Sequence, residues 1–202
     1  MHRAVFLDRD GTINAMVDTP SPGLVDTPAT PEEFHLLPGV GEAIRTINEA
    51  GWLAVVVSNQ PGIAKGRFSP SELEAVTRKM HGELACFGAR LDAVLYCLHH
   101  PQAVREEFRV VCACRKPKPG LLLQGAGALD IELERSYLVG DRVSDIEAGA
   151  AAGCRTVLVG ERERGINGTG ERLEVVPDYV AESLHEAVNV ILRGRQTHGH
   201  LS

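Results

Sequence analysis

No apolar run in this 202-residue sequence approaches the roughly 20 residues needed to cross a bilayer. The first residues, Met1-His2-Arg3, lead straight into Ala4-Val5-Phe6-Leu7, a stretch too short for a signal-peptide core and without a cleavage site. There is no excess of basic charge: the formal net charge is −6, which argues against a primary role in binding nucleic acid, where a concentrated basic surface is needed. Internal repeats and low-complexity tracts are also lacking. A paired cysteine framework is excluded too, because the five cysteines are odd in number and Cys97, Cys112 and Cys114 crowd into one segment, as metal ligands do. These absences leave a cytoplasmic protein without membrane or nucleic-acid partners, expected as a monomer acting on a small molecule.

What is present is ordinary globular composition, 44% hydrophobic and 24% charged, and a chain long enough for one domain with a real core. Short apolar runs at Ala4–Leu7, Leu53–Val57, Ala93–Tyr96, Ser136–Val139 and Arg155–Leu158 alternate with helical stretches, which predicts a three-layer, Rossmann-like α/β fold with a parallel sheet covered on both faces. Helix starts are legible at Ser69-Pro70-Ser71-Glu72, Ser144-Asp145-Ile146-Glu147 and Ser183-Leu184-His185-Glu186, each with the Ser-x-x-acid form of a capping box. Val40, Ile44 and Ile47 mark another helix, ending at Gly51. The domain is expected to span 1–193, with 194–202, including His198 and His200, as a flexible tail. Two segments interrupt the alternation: a proline-rich stretch from Asn14 to Pro38 and an insert over 97–114.

Asp8-Arg9-Asp10-Gly11-Thr12 directly follows the first strand, so both acids lie at its carboxyl end, the edge where open α/β sheets bind ligands. One carboxylate there could attack phosphorus while the other protonates the departing oxygen. Alone, the motif reads equally as a polar turn, or as a piece of a calcium loop whose later acids are missing. Three further elements fall at strand ends: Ser58-Asn59-Gln60, Lys116 and Gly140-Asp141. A hydroxyl, a cation and another carboxylate beside an acid pair are the parts that phosphoryl transfer needs.

This ordered set resembles the haloacid dehalogenase superfamily of phosphatases. The resemblance implies Asp8 as nucleophile, Asp10 as general acid and base, and Ser58 and Lys116 on the phosphoryl oxygens. It implies Mg²⁺ on Asp8, Asp141 and the Asp10 backbone carbonyl, and no large cap domain. Asp145 divides between an acid in the first turn of a helix capped by Ser144 and a residue holding a metal-bound water.

Cys97-Leu98-His99 and Cys112-Ala113-Cys114 enclose a polar loop of twelve residues, 100–111. Three thiolates and the His99 imidazole would make a closed structural zinc site; reduced cysteines without metal are the bland alternative. Cys86 and Cys154 read as small core residues. The run from Cys97 through Lys116-Pro117 is similar to the D-glycero-D-manno-heptose 1,7-bisphosphate 7-phosphatases, with histidinol-phosphate phosphatases as cousins whose loop is typically shorter. That resemblance implies substrate contacts from Asn59, Gln60, Arg115 and Arg142. The loop after Asn14 departs from the family pattern, being longer and lacking a Gly-Tyr pair, and Pro61 stands where a small polar residue is common. Lys65 reads as either a phosphate contact or a solvated loop lysine. Gly165–Gly170 reads as a mobile loop, Trp52 as a core or sheet-edge aromatic. A phosphoacceptor signalling domain would use similar sheet-edge residues, but would keep its acyl phosphate.

Overall fold

In the computed structural model, residues 1–18, 25–160 and 175–193 are described. The expected strands are present as β1 (Ala4–Leu7), β4 (Leu53–Asn59), β5 (Ala93–Cys97), β6 (Tyr137–Gly140) and β7 (Arg155–Val159). They are joined by β8 (Tyr179–Ala181) into one parallel sheet of order β5-β4-β1-β6-β7-β8. β8 escaped the sequence reading because three residues carry too little pattern. It is seated by Asp178, whose carboxylate accepts bonds from the Thr156 amide and hydroxyl at 2.7 and 3.0 Å. A separate two-stranded hairpin, β2 (Val17–Asp18) with β3 (Val25–Asp26), rises from the proline-rich segment.

The period-two alternation of strand side chains divides the core into two. Val5, Leu7, Val56 and Val139 face α1 (Val40–Glu49), α2 (Pro70–Ala85) and α5 (Leu184–Arg193). Ala4, Phe6, Val55 and Leu138 face α3 (Gly120–Leu129) and α4 (Val143–Ala152). The α1 stripe of Val40, Ala43, Ile44 and Ile47 is buried at helical spacing, as expected. The Ser69 box is also formed, with Glu72 N–H donating to the Ser69 hydroxyl and Ser69 N–H to the Glu72 carboxylate. α3 was not foreseen, since its glycines weaken helix propensity. Gly125 nonetheless suits its place: a Cβ would stand 3.1 Å from the Phe6 ring, a tight contact whose absence eases the helix onto the sheet.

Two local expectations need correction. α4 is capped by Arg142, not Ser144: Asp145 occupies the third helical position and accepts from the Arg142 backbone N–H at 3.0 Å. Cys86 is exposed at the end of α2, whereas Cys154 is buried as expected. The Gly165–Gly170 loop and the 194–202 tail lie outside the described residues. Among those described, no helix is long and apolar enough to cross a membrane.

Candidate active site

The strand order reverses at β1, which lies between β4 and β6. A crevice opens at such a switch point, beyond the carboxyl ends of the strands. Asp8 sits there just after β1, its N–H donating to the Val139 carbonyl at 2.9 Å. Ser58 is the penultimate residue of β4, Asp141 follows β6, and Lys116 arrives from the segment after β5. A cavity of about 420 Å³ is lined by Asp8, Asp10, Ser58, Lys116 and Asp145, and rimmed by the cations Lys65, Arg67, Arg115 and Arg142.

The floor is an ion network almost cut off from solvent. Lys116 Nζ lies 2.9 Å from Asp8 Oδ1 and 2.5 Å from Asp145 Oδ1, and it donates to the Val57 carbonyl at 2.8 Å. Burial works against the lysine's charge, but Asp145 and Asp8 outweigh it and hold the ammonium above its ordinary range. Burial likewise opposes the Asp8 carboxylate, yet the Lys116 charge and bonds from Lys116 and Ser58 keep it below the usual carboxylate range. An ionised, desolvated carboxylate is what a nucleophile requires. Asp145 therefore lies in the first turn of α4, where it closes the helix start, and also meets Lys116, a contact that neither reading of the sequence had offered.

Asp141 behaves differently. Burial first, and then the charges of Asp8 and Asp145, push its carboxyl up to about 7. Asp145 rises to about 6, mainly through burial. The carboxylates of Asp8, Asp141 and Asp145 offer oxygens within 4.8 Å of one another, and Asp141 Oδ1 is buried without a hydrogen-bond partner. Three crowded hard oxygens with an orphaned acceptor fit a divalent cation such as Mg²⁺. The turn leaves no room for a side chain at Gly11, where φ is +83° and a Cβ would lie 2.3 Å from Asp141 Oδ2.

Asp10 points the other way. Its carboxylate accepts from Arg9 Nε (3.0 Å), Arg9 Nη2 (3.2 Å), Asn14 Nδ2 (3.0 Å), Gln60 Nε2 (2.6 Å) and Thr27 Oγ1 (2.8 Å). Arg9 is wholly buried and lies over the Tyr96 ring, 5.6 Å from its centroid. Gln60, expected on substrate, is wholly buried behind the cavity, where it holds Asp10 and reaches the Ser58 hydroxyl at 3.2 Å. Asn59 borders the cavity, but its amide is engaged with the Lys116 backbone, accepting from N–H at 3.1 Å and donating to C=O at 3.0 Å. Arg9 and Thr27 were missed as site residues. A lone arginine between two acids carries no pattern that marks it as buried, and nothing in a proline-rich stretch signals which hydroxyl will fold back.

In the insert, the four expected ligands meet. Sulfur–sulfur separations are 3.6 Å (Cys97–Cys112), 3.3 Å (Cys97–Cys114) and 3.2 Å (Cys112–Cys114), and His99 Nδ1 lies 3.9 and 3.3 Å from Cys97 and Cys114. A tetrahedral zinc with bonds of about 2.3 Å to sulfur sets ligand edges of about 3.7 Å, which this cluster approaches. The cluster also supports the rim: the His99 carbonyl accepts from Arg115 Nη1 at 3.3 Å. His100 feels that rim, its imidazole pushed down by burial and then by the Arg115 and Lys65 charges.

The HAD-hydrolase-like family model matches residues 113–187. The chain is 39% identical to the D-glycero-beta-D-manno-heptose-1,7-bisphosphate 7-phosphatase of Salmonella typhi, over 93% of this chain and 94% of that one. It is 40% identical to the enzyme of the same name from Escherichia coli K12, over 93% of each. Among solved structures, the D,D-heptose 1,7-bisphosphate phosphatase of B. bronchiseptica, complexed with magnesium and phosphate, superposes with a TM-score of 0.77 at 34% identity. That match covers 95% of this chain and 99% of the other.

Proposed function

Because the chain belongs to the HAD-like phosphatase family, we propose that it releases the 7-phosphate of D-glycero-β-D-manno-heptose 1,7-bisphosphate through an aspartyl-phosphate on Asp8. It is a hydrolase of phosphate monoesters. The observation that carries the substrate is the near full-length match to heptose bisphosphatases, together with the cationic rim of Lys65, Arg67, Arg115 and Arg142, which suits a substrate bearing a second phosphate.

Asp8 attacks phosphorus in line, and the bond to the sugar oxygen breaks as Asp10 delivers a proton to it. Asp10 then takes a proton from the water that attacks the acyl phosphate, returning the Asp8 carboxylate and inorganic phosphate. Lys116 and the Ser58 hydroxyl hold phosphoryl oxygens during both displacements. Asp8, Asp141 and the Asp10 carbonyl, with Asp145 alongside, would hold Mg²⁺, which when bound offsets the repulsion between carboxylate and phosphate. Cys97, His99, Cys112 and Cys114 would hold a structural zinc, and unpaired thiols of this kind suit the cytoplasm. Residues 1–193 act as one catalytic domain with 97–114 as its metal-bound insert.

Phosphate release from the heptose bisphosphate and from histidinol phosphate, with Mg²⁺ and with Asp8→Asn as the blank, tests this reading. A preference for the bisphosphate is expected. Preference for histidinol phosphate would reject the substrate, and full activity of Asp8→Asn would reject the covalent route.

A further inference from the structure

The donors gathered around Asp10 differ in one respect. Arg9, Asn14 and Gln60 present N–H groups, which can only donate, whereas Thr27 presents a hydroxyl, which can donate or accept. Thr27 Oγ1 stands 2.8 Å from Asp10 Oδ2 and 3.3 Å from Gln60 Oε1, and it accepts a bond from Arg9 Nη2. A proton-free Asp10 carboxylate is satisfied by all four side chains.

We infer that Thr27 is a positioning residue for the acid–base step: its hydroxyl, fixed by the bond it accepts from Arg9 Nη2 and set beside Gln60 Oε1, donates to Asp10 Oδ2 and holds that carboxyl in place at the cavity. This rests on the general acid–base role proposed above for Asp10. The hydroxyl reaches the site because β3 lies antiparallel beside β2, with Thr27 directly after β3. Neighbouring Asp26 is ion-paired with Arg67 on the loop beyond β4, which fixes the hairpin across the cavity. The segment that departs most from the family pattern in sequence thus supplies a group to the catalytic acid.

The test uses the intact enzyme with Thr27→Val, which keeps the shape and removes the hydroxyl, and Thr27→Ser, which keeps the hydroxyl. kcat/KM is measured on the heptose bisphosphate, whose leaving alkoxide needs a proton, and on p-nitrophenyl phosphate, whose leaving group does not. For Thr27→Val the ratio of the two values is expected to fall about tenfold or more, part of the 10²–10⁴ that a general acid supplies. Thr27→Ser is expected to restore the ratio to within about threefold of the wild type. An equal fall on both substrates, no fall on either, or no recovery with Thr27→Ser would overturn the inference. Should the wild type ignore the heptose bisphosphate, the substrate reading fails separately, and a primary alkyl ester such as ribose 5-phosphate takes its place in the ratio.

Discussion

Lys116 ties Asp8 to the sheet, and Lys116→Met isolates that work because methionine keeps most of the length of the side chain and none of its charge. Its ammonium is buried 2.9 Å from Asp8 and 2.5 Å from Asp145. At an effective dielectric near 20, each contact is an attraction of about 6 kcal/mol, most of it offset by the desolvation of three ions. Removing one member of such a cluster leaves carboxylates uncompensated, and the net loss of stability at pH 7.5 should be about 3–5 kcal/mol. The loss should also depend on pH. Asp8 is ionised below its ordinary range in the wild type, so its contribution is present above the unfolded carboxylate pKa and disappears as pH falls through the folded one. In the variant, the same carboxyls are raised by burial, their penalty is full at neutral pH, and protonation relieves it as pH falls. Urea unfolding followed by the fluorescence of buried Trp52, without Mg²⁺ or chelator, should therefore give a smaller difference at pH 5 than at 7.5. A difference below about 1 kcal/mol at pH 7.5, or one equal at both pH values, would refute the electrostatic account. Phosphate release should fall at least about a hundredfold.

Gly11→Ala forces a Cβ into the left-handed region and onto Asp141. Melting should show a loss of about 1–2 kcal/mol, while Mg²⁺ affinity by calorimetry collapses; unchanged affinity would count against the metal site. Because Asp141 is pushed up to about 7 and Asp145 to about 6, protons compete with the cation. The apparent Kd for Mg²⁺ should rise about tenfold from pH 7 to 6 and more steeply below, and a flat titration from pH 8 to 5.5 would reject this. In the native protein only exposed Cys86 should react quickly with a thiol reagent, with three more thiols reacting once zinc is removed; four fast thiols in the untreated protein would argue against bound metal.

The sequence by itself determined five of the sheet's six strands, since each is a short apolar run bounded by turn signals, and it placed Asp8, Ser58 and Asp141 at strand ends, with Lys116 beyond the insert that follows β5. The cluster of Cys97, His99, Cys112 and Cys114 was likewise legible, because three thiols and an imidazole at such short spacing suit a metal ion. Only the tertiary structure decided which way these groups face. Gln60 was expected on substrate and lies behind Asp10; Asn59 spends its amide on the Lys116 backbone; Asp145 caps α4 and meets Lys116 at once. Arg9 and Thr27 were invisible as site residues. A single charge between two acids has no periodicity to betray it, and the hydroxyl of Thr27 reaches Asp10 by a contact 17 residues away in the chain. Local spacing fixes where a strand ends, but the partner of a buried side chain is set by whatever else the fold brings within about 3 Å of it.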